Sequence, residues 1–339
     1  MTSTVESPLT SSPDPSEPSA SHSGRPMRWL GRYGALLVLG LLIVVTSILE
    51  PETFATKDNA INILNQSALA AIIAMGLTFA LVTGEFDLSI GNVASLSGVV
   101  ACTVMLKADF SIPMALLTVL VMGFALGLVN GFVVTYLNVQ ALVATLGVGT
   151  VVIGINYAVS DGSPISLADP DAFINLTFNR FLGVPYPVFV MLGLGLFLWL
   201  LLNRTVLGQA MQAVGGNPVA AELSGIRVDR VRVIAFAVCS TCAALTGFLL
   251  ASRTGSAAVS AGDSYLLSAF AAAFFGSAVL RDGQFHVIGT IVGVITVSVG
   301  FNSIALIGLE TYYQYLFQGL VLILGVGVGS FARRRAAAA

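Results

Sequence analysis

Long apolar runs separated by short polar stretches dominate the hydropathy pattern of the chain. A membrane-crossing helix needs about 20 apolar residues to cover a hydrocarbon core of ~30 Å. Charge-free runs of about that length occupy residues 33–49, 61–82, 91–106, 112–137, 142–160, 184–202, 231–251, 264–280, 287–307 and 312–331. The pattern predicts an all-α, polytopic membrane protein with about ten transmembrane helices. The third and eighth runs are short, so each is either a complete crossing or a broken, re-entrant helix.

The basic residues provide a test of this topology, because loops on the cytoplasmic side of a membrane hold the excess of Lys and Arg. With ten crossings and a cytoplasmic start, eleven of the 15 basic residues fall inside. The four outside are Lys57, Lys107, Arg180 and Arg253. If the third run returned without crossing, six would lie inside and nine outside. We therefore predict ten crossings with both termini cytoplasmic.

Composition narrows the function. Hydrophobic residues make up 56% of the chain and charged residues 9%, with a formal net charge of −2, so no basic field exists that could bind nucleic acid. Cys102, Cys239 and Cys242 all fall within apolar runs. Although Cys239 and Cys242 have the spacing of a redox pair, we interpret all three as packing groups rather than as disulfide or zinc ligands.

The two ends of the chain are predicted to lie outside the membrane domain. Residues 1–26 are rich in Ser, Pro and Glu and predict a disordered cytoplasmic tail. Arg25, Arg28 and Arg32 directly precede the first run, which we interpret as an uncleaved span. The membrane domain is then residues 27–335, followed by a short tail at 336–339.

Two loops are long enough to carry a function. Residues 161–183 are predicted to lie outside as a polar surface suited to a soluble partner. Residues 203–230 lie inside and contain a punctuated short helix, with Asn217 as N-cap, Pro218 at the first helical position and Gly225 as the left-handed C-terminal residue. A helix of about two turns is not stable alone, so it packs either on the membrane domain or on another protein.

Two motifs carry a family resemblance. The coupling-loop signature of the permease subunits of bacterial ABC sugar importers, of the ribose, xylose and galactose type, is similar to GQAMQAVGGNPVAAELSGIRV at residues 208–228. That family's Gly-Ile-Asp-Leu-Ser-Val-Gly segment is similar to TGEFDLSIG at residues 83–91. The likeness extends from about residue 61 to residue 331 and does not specify a substrate.

The resemblance implies that the short cytoplasmic helix docks on a separate ATPase subunit, whose closure switches the access of the pore. The residues expected at this interface are Gly215, Gly216, Asn217, Pro218, Ala221, Glu222, Leu223, Gly225 and Arg227. The other implied partners are an extracytoplasmic sugar-binding protein, a second permease subunit in a homodimer or heterodimer, and membrane lipid. The implied location is the bacterial cell membrane.

The chain lacks the side chains for chemistry of its own. Its only lysines, Lys57 and Lys107, do not stand in a phosphate-binding loop, so ATP hydrolysis is expected on a partner chain. The two histidines, His22 and His286, do not supply a metal site or a catalytic triad. We expect a transport subunit without cofactor or metal rather than an enzyme.

A second motif lies at the predicted cytoplasmic edge and contains Asp87, Leu88, Ser89 and Gly91. A helix that begins at Leu88 or Ser89 would make Asp87 its N-cap. Alternatively, the acidic pair of Glu85 and Asp87 forms a salt bridge or gate contact, for which the candidate partners are Arg204 and Arg281. Family members often have glycine at the position of Glu85, so a family role is assigned to Asp87 first.

A sugar path needs hydrogen-bonding groups and apolar ring faces. The candidates are Asn65, Gln66, Asn130, Asn156, Asn302, Gln314, Phe79, Phe274 and Phe301. Each polar one could equally bond a neighbouring helix.

The sequence thus predicts a permease for a monosaccharide. An amino-acid permease of the same family, a secondary transporter and a channel remain as alternatives. The absence of charge within the runs argues against ion coupling.

Overall fold

A computed structural model of the chain describes residues 25–277 and 283–337. In these ranges it contains thirteen helices and four two-residue strands. The helices are α1 Arg25–Leu49, α2 Lys57–Val82, α3 Ile90–Lys107, α4 Ile112–Thr135, α5 Ala141–Ser160, α6 Asp171–Phe178, α7 Tyr186–Arg204, α8 Val206–Gly216, α9 Pro218–Leu223, α10 Val228–Thr254, α11 Asp263–Ser277, α12 Val287–Leu306 and α13 Tyr312–Ala337. The strands are β1 Ile165–Ser166, β2 Arg180–Phe181, β3 Val184–Pro185 and β4 Ser256–Ala257.

Each of the ten apolar runs corresponds to one helix, and the all-α membrane fold predicted from them is confirmed. Within the described residues, 7 helices are long and apolar enough to cross a membrane: α2, α3, α4, α5, α7, α10 and α12. The other three runs form α1, α11 and α13. Helix α1 already begins at Arg25, and the rest of the predicted N-terminal tail lies outside the described residues.

The bundle has two ends, which we name after the short helices that mark them. At the α6 end, β1 pairs antiparallel with β4, so that Ile165 lies opposite Ala257, and β2 forms a hairpin with β3. At the α8 end, α8 and α9 connect α7 to α10. The longest polar loops therefore lie at opposite ends of the membrane domain, as predicted.

Helices α4 and α10 approach each other closely along a glycine stripe. Gly123, Gly127 and Gly131 recur every four residues on α4 and face α10. A Cβ at Gly127 would lie 2.5 Å from Ala237 Cα, so only glycine allows this approach. Gly147 on α5 has no such packing role within the described chain, because a Cβ there would have no neighbour within 4 Å.

Polar pairs link α2 to α12. The amides of Asn59 and Asn302 bond each other reciprocally, at 3.1 and 2.9 Å. Thr78 and Thr290 form a second pair at 2.7 Å, nearer the α8 end. Since both pairs are buried and complete, they satisfy their own polar groups and fix the register of the two helices.

The part of the short eighth run that the structure describes forms α11, whose 15 residues extend over ~22 Å. Residues 255–262 connect α10 to it as a non-helical arm that contains β4 and two turns. The third run, by contrast, forms the single continuous helix α3.

Candidate functional site

Helices α8 and α9 are each started by a side-chain cap. Thr205 Oγ1 accepts a hydrogen bond from Gly208 N at 3.1 Å, and Asn217 Oδ1 accepts one from Ala220 N at 3.0 Å. Pro218 is the first residue of α9, and Gly225 follows it with a φ of 84°. The capping predicted for the second helix is confirmed. An 11-residue helix, α8, which the sequence analysis did not predict, precedes it.

The loop packs on the membrane domain through α8. Met211 and Val214 of α8 are buried. Gly215 lies directly against the carbonyl oxygen of Val82, the last residue of α2, and leaves no room for a Cβ. Gly216 beside it has no neighbour within 4 Å of a Cβ position. Helix α8 is therefore fixed by the close contact of Gly215 with Val82 as well as by the burial of Met211 and Val214.

Helix α9 is largely uncovered. Ala221 is its buried contact, whereas Glu222 is exposed. Val219 and Leu223, four residues apart, are 65% and 85% exposed. Apolar side chains exposed in this way at a polar end of the molecule are typical of a docking surface. Sequence reasoning named Leu223 but missed Val219, although the i, i+4 spacing was visible.

The remaining residues predicted for the coupling interface also lie at this end. Arg227 precedes α10 and is exposed. Residues 217–227 are exposed except for buried Ala221 and partly buried Ile226, and we call their exposed side chains the α9 surface.

Loop 83–89 connects α2 to α3 next to this region. Asp87 Oδ1 accepts hydrogen bonds from Ser89 N at 2.9 Å and from Ser89 Oγ at 2.6 Å. Helix α3 begins at Ile90, so the predicted start at Leu88 or Ser89 is wrong by one or two residues. Asp87 therefore holds the turn before the helix instead of being its N-cap.

The Asp87 carboxylate is fully buried and joins several helices. Asn130 on α4 donates from Nδ2 to Ser89 Oγ at 2.8 Å and lies 3.5 Å from Asp87 Oδ2. Thr145 Oγ1 on α5 accepts from Leu88 N at 3.0 Å. Loop 83–89 is thus attached to α4 and α5, and Asn130 belongs to this cluster.

Glu85 pairs with a residue that the sequence did not suggest. Arg232 Nε on α10 lies 3.0 Å from Glu85 Oε1, an ion pair by distance although the N–H does not point at the oxygen. Burial raises the pKa of Glu85, and the Arg232 charge opposes that rise. Arg204 instead lies over the Trp199 ring, 5.7 Å from its centre, so its predicted pairing is wrong. Arg281, the other predicted partner, lies outside the described residues.

Phe86, between the two acids, enters an aromatic stack. Its ring centre lies 6.2 Å from that of Phe270 and 6.3 Å from that of Phe274, both on α11. Phe285 packs edge-on against Phe274 at 5.2 Å. We call these four residues the phenyl stack, and it closes the space between loop 83–89 and α11.

The other predicted path residues are not brought together. Asn65 and Gln66 are half-buried on α2, and Phe79 on the same helix is fully buried. Asn302 is used by Asn59. The remaining side chains contact protein as well: Asn156 donates to Val259 O at 3.1 Å, Gln314 to Phe301 O at 3.4 Å, and Phe301 packs on Phe317.

Two helix N-termini meet inside the bundle, which sequence reasoning missed. Gly262 N donates to Ser95 Oγ at 2.8 Å, so the arm before α11 lies on the first turns of α3. A Cβ at Gly91 would lie 3.1 Å from Gly262 O and 3.5 Å from Asp263 Cα. The starts of α3 and α11 therefore touch, and we call this place the α3/α11 junction.

Comparison with known proteins gives a family. A family described as branched-chain amino acid transport system / permease component matches residues 59–326. The chain is 35% identical over 302 residues to the ribose import permease protein RbsC of Haemophilus influenzae, covering 88% of this chain and 93% of the relative. It is 34% identical over 326 residues to the galactose/methyl galactoside import permease protein MglC of Escherichia coli, covering 90% and 96%.

A third relative is the ribose import permease protein of Bacillus subtilis, 34% identical over 296 residues, which cover 87% of this chain and 91% of the relative. No solved structure matches the chain. Because the family match spans residues 59–326 and the relatives exceed 30% identity over nearly their full length, the chain belongs to this family of transport-system permease components.

Proposed function

We propose that this chain is the membrane-spanning permease subunit of an ATP-driven ABC importer for a monosaccharide. The observation that carries the proposal is the α9 surface: a capped helix with exposed Val219, Glu222 and Leu223, held on the membrane domain through α8. A permease that works alone would have no partner to cover the apolar side chains of Val219 and Leu223. It fits an ATPase subunit that binds at the α8 end, which is then the cytoplasmic side.

The transmission path follows from the same contacts. A partner that moves the α9 surface moves α8, and Gly215 presses on Val82 at the start of loop 83–89. That loop carries Glu85, Phe86 and Asp87, which contact α10, α11 and α4. Closure of the ATPase pair would thereby shift the phenyl stack and switch access between two states.

The proposed substrate class comes from the relatives named for ribose and galactose import. An external binding protein would deliver the sugar at the α6 end, where loop 161–185 offers α6 and the β2–β3 hairpin. A second permease subunit would complete the transport unit in the cell membrane, with both termini cytoplasmic. An amino acid is the alternative substrate class, since the family description names it.

Co-purification with a candidate ABC ATPase subunit tests the proposal. We expect Glu222→Arg to reduce ATPase association because it reverses a charge on the exposed α9 surface, and Asn217→Ala to weaken the cap by about 1 kcal/mol. Glu310→Arg, also exposed but at the α6 end, is the matched control and should leave association unchanged. Full association and sugar uptake in both α9 variants would contradict the coupling role. Reporter fusions after Leu202 and after Ser160 test the orientation, and an external signal at Leu202 would overturn it.

A further inference from the structure

The α3/α11 junction lies deep within the membrane domain. Gly91, where α11 meets α3, is sixteen residues, or ~24 Å, from the far end of α3 at Lys107. Ala94, one turn above Gly91, packs against Gly247 of α10, seven residues or ~10 Å before the end of α10 at Thr254. Both distances place the junction in the interior of a hydrocarbon core of ~30 Å.

An acidic side chain is exposed at this depth. Asp263 is the first residue of α11, and it and Ser264 are exposed in the single chain. Asp263 makes no ion pair in the described part of the chain. A carboxylate facing lipid tails is costly, so acids within a membrane face the bundle interior or a water-filled cavity. Asp263 must therefore face an aqueous path or a second subunit.

Further polar groups lie at the same junction. Asn92 of α3 is half-exposed, and its Nδ2 fills the space beside Gly149 of α5. Asn156 of α5 is 1% exposed and donates to Val259 of the arm, yet within the described residues nothing donates to its Oδ1. An unpartnered buried acceptor points to a bound hydroxyl or water.

One face of α11 continues from the junction towards the α8 end. Asp263, Leu267, Phe270 and Phe274 follow at i, i+4, i+7 and i+11, which places them on one side of a helix. Leu267 is exposed, whereas Phe270 and Phe274 are buried in the phenyl stack with Phe86. This face of α11 thus runs from the Asp263 carboxylate, within the membrane domain, to the phenyl stack, towards the α8 end.

We propose that the α3/α11 junction is a binding station for a polyhydroxylated ligand, with Asp263 accepting hydrogen bonds from ligand hydroxyls and the phenyl stack closing the path below it. Helices that start within the membrane and present their N-termini to a substrate are a recurrent way of building such sites. Among the described residues the junction offers a carboxylate, amides and hydroxyls, and Asp263 has no ion-pair partner there. The Asp263 charge already lies at the positive N-terminus of α11, which suits the hydroxyls of a sugar better than the carboxylate of an amino acid. This inference rests on the proposed sugar-import function.

Cysteine labelling of the complete transporter in membrane vesicles tests accessibility. Cys102, Cys239 and Cys242 are buried, so the wild type provides a low background. Asp263→Cys is compared with Leu196→Cys on α7, which is 59% exposed near the middle of its helix. A charged, membrane-impermeant thiol reagent should label position 263 and not position 196. Ribose at its dissociation constant should slow labelling at 263 about twofold, because half of the sites are then occupied. Equal labelling at both positions, or no protection by ribose, galactose or xylose, would contradict a binding site at the α3/α11 junction.

A kinetic measurement on a variant that still folds distinguishes a loss of ligand binding from a folding defect. Asp263→Asn preserves shape, and loss of a charge-assisted hydrogen bond should raise the KM for ribose uptake about tenfold with little change in maximal rate. ATPase association and thermal stability should stay at wild-type values. An unchanged KM, or loss of the permease dimer instead, would assign Asp263 to subunit contact and contradict the proposal. Failure of wild-type ATPase association would refute the proposed function separately.

Discussion

Arg232 on α10 and Glu85 in loop 83–89 form an ion pair, with 3.0 Å between Nε and Oε1. The pair links the start of α10 to the loop that carries Phe86. Because burial disfavours the Glu85 charge more than Arg232 offsets it, we expect Arg232→Gln, which leaves the carboxylate without its partner, to lower the free energy of unfolding by about 1 kcal/mol, and Glu85→Gln to change it little. Thermal denaturation of both single variants and the double variant forms a mutant cycle. Strictly additive effects would show that the two side chains do not interact.

The same carboxyl gives a pH dependence. Burial raises the pKa of Glu85 despite Arg232, so its folded pKa exceeds its unfolded pKa. Its contribution to stability is complete below the unfolded pKa and is lost as pH rises through the folded pKa. The wild type should therefore lose stability over that interval, and Glu85→Gln should flatten this part of the profile. Glu222→Gln, an exposed control, should keep the wild-type slope, and a Glu85→Gln profile equal to it would contradict the assignment.

Alanine variants of two adjacent glycines at the end of α8 separate the transmission of movement to loop 83–89 from the binding of the ATPase subunit. Gly215→Ala introduces a methyl group against Val82 O, whereas Gly216→Ala meets no atom within 4 Å. Overpacking costs about 1–3 kcal/mol, so Gly215→Ala should reduce sugar uptake by roughly tenfold while the α9 surface still binds the ATPase. Gly216→Ala should retain both uptake and binding. Equal uptake by the two variants would exclude this contact as a transmission point.

The α4–α10 contact predicts a stability difference between two other glycines. Gly127→Ala would place its Cβ 2.5 Å from Ala237 Cα, and backbone cannot yield as a flexible side chain does. We expect a loss of about 1–3 kcal/mol in the free energy of unfolding. Gly147→Ala, in open space on α5, should be neutral or slightly stabilising. Denaturation in detergent measures both variants.

Removal of the Asn59–Asn302 pair should lower the stability of the fold without changing the KM for substrate. Either single alanine variant leaves one buried amide without its partner, at a cost of about 1–3 kcal/mol. The double variant should lose less than the sum of the two. Because this pair satisfies itself, the KM for ribose should not change in a variant that still folds. A raised KM in Asn302→Ala would return that residue to the substrate path.

The sequence was sufficient for features that depend on neighbouring residues. Apolar runs located the ten helices, and Asn217, Pro218 and Gly225 defined the ends of α9, because capping depends on side chains within three residues. The start of α3 was displaced because the side chain of Asp87 bonds Ser89 and forms a turn before the helix.

Features that join distant parts of the chain could not be predicted. Arg232 follows Glu85 by nearly half the chain, and nothing in its immediate sequence distinguishes it from Arg227 or Arg230. The contact of Gly215 with Val82 depends on where α8 packs. The α3/α11 junction escaped notice because Asp263 stands just before an apolar run, where an acid normally marks a membrane surface.

The non-helical arm at residues 255–262 separates α10 from α11 mechanically. Helix α10 is fixed to α4 by the glycine stripe, whereas α11 is reached through backbone that has no continuous helical hydrogen bonds. A rotation or slide of α11 against α3 therefore requires neither helix to unwind. The contacts that hold the arm, which are the β1–β4 pairing and the bonds of Gly262 to Ser95 and of Asn156 to Val259, would have to break or move with it before Asp263, Phe270 and Phe274 could shift together on α11.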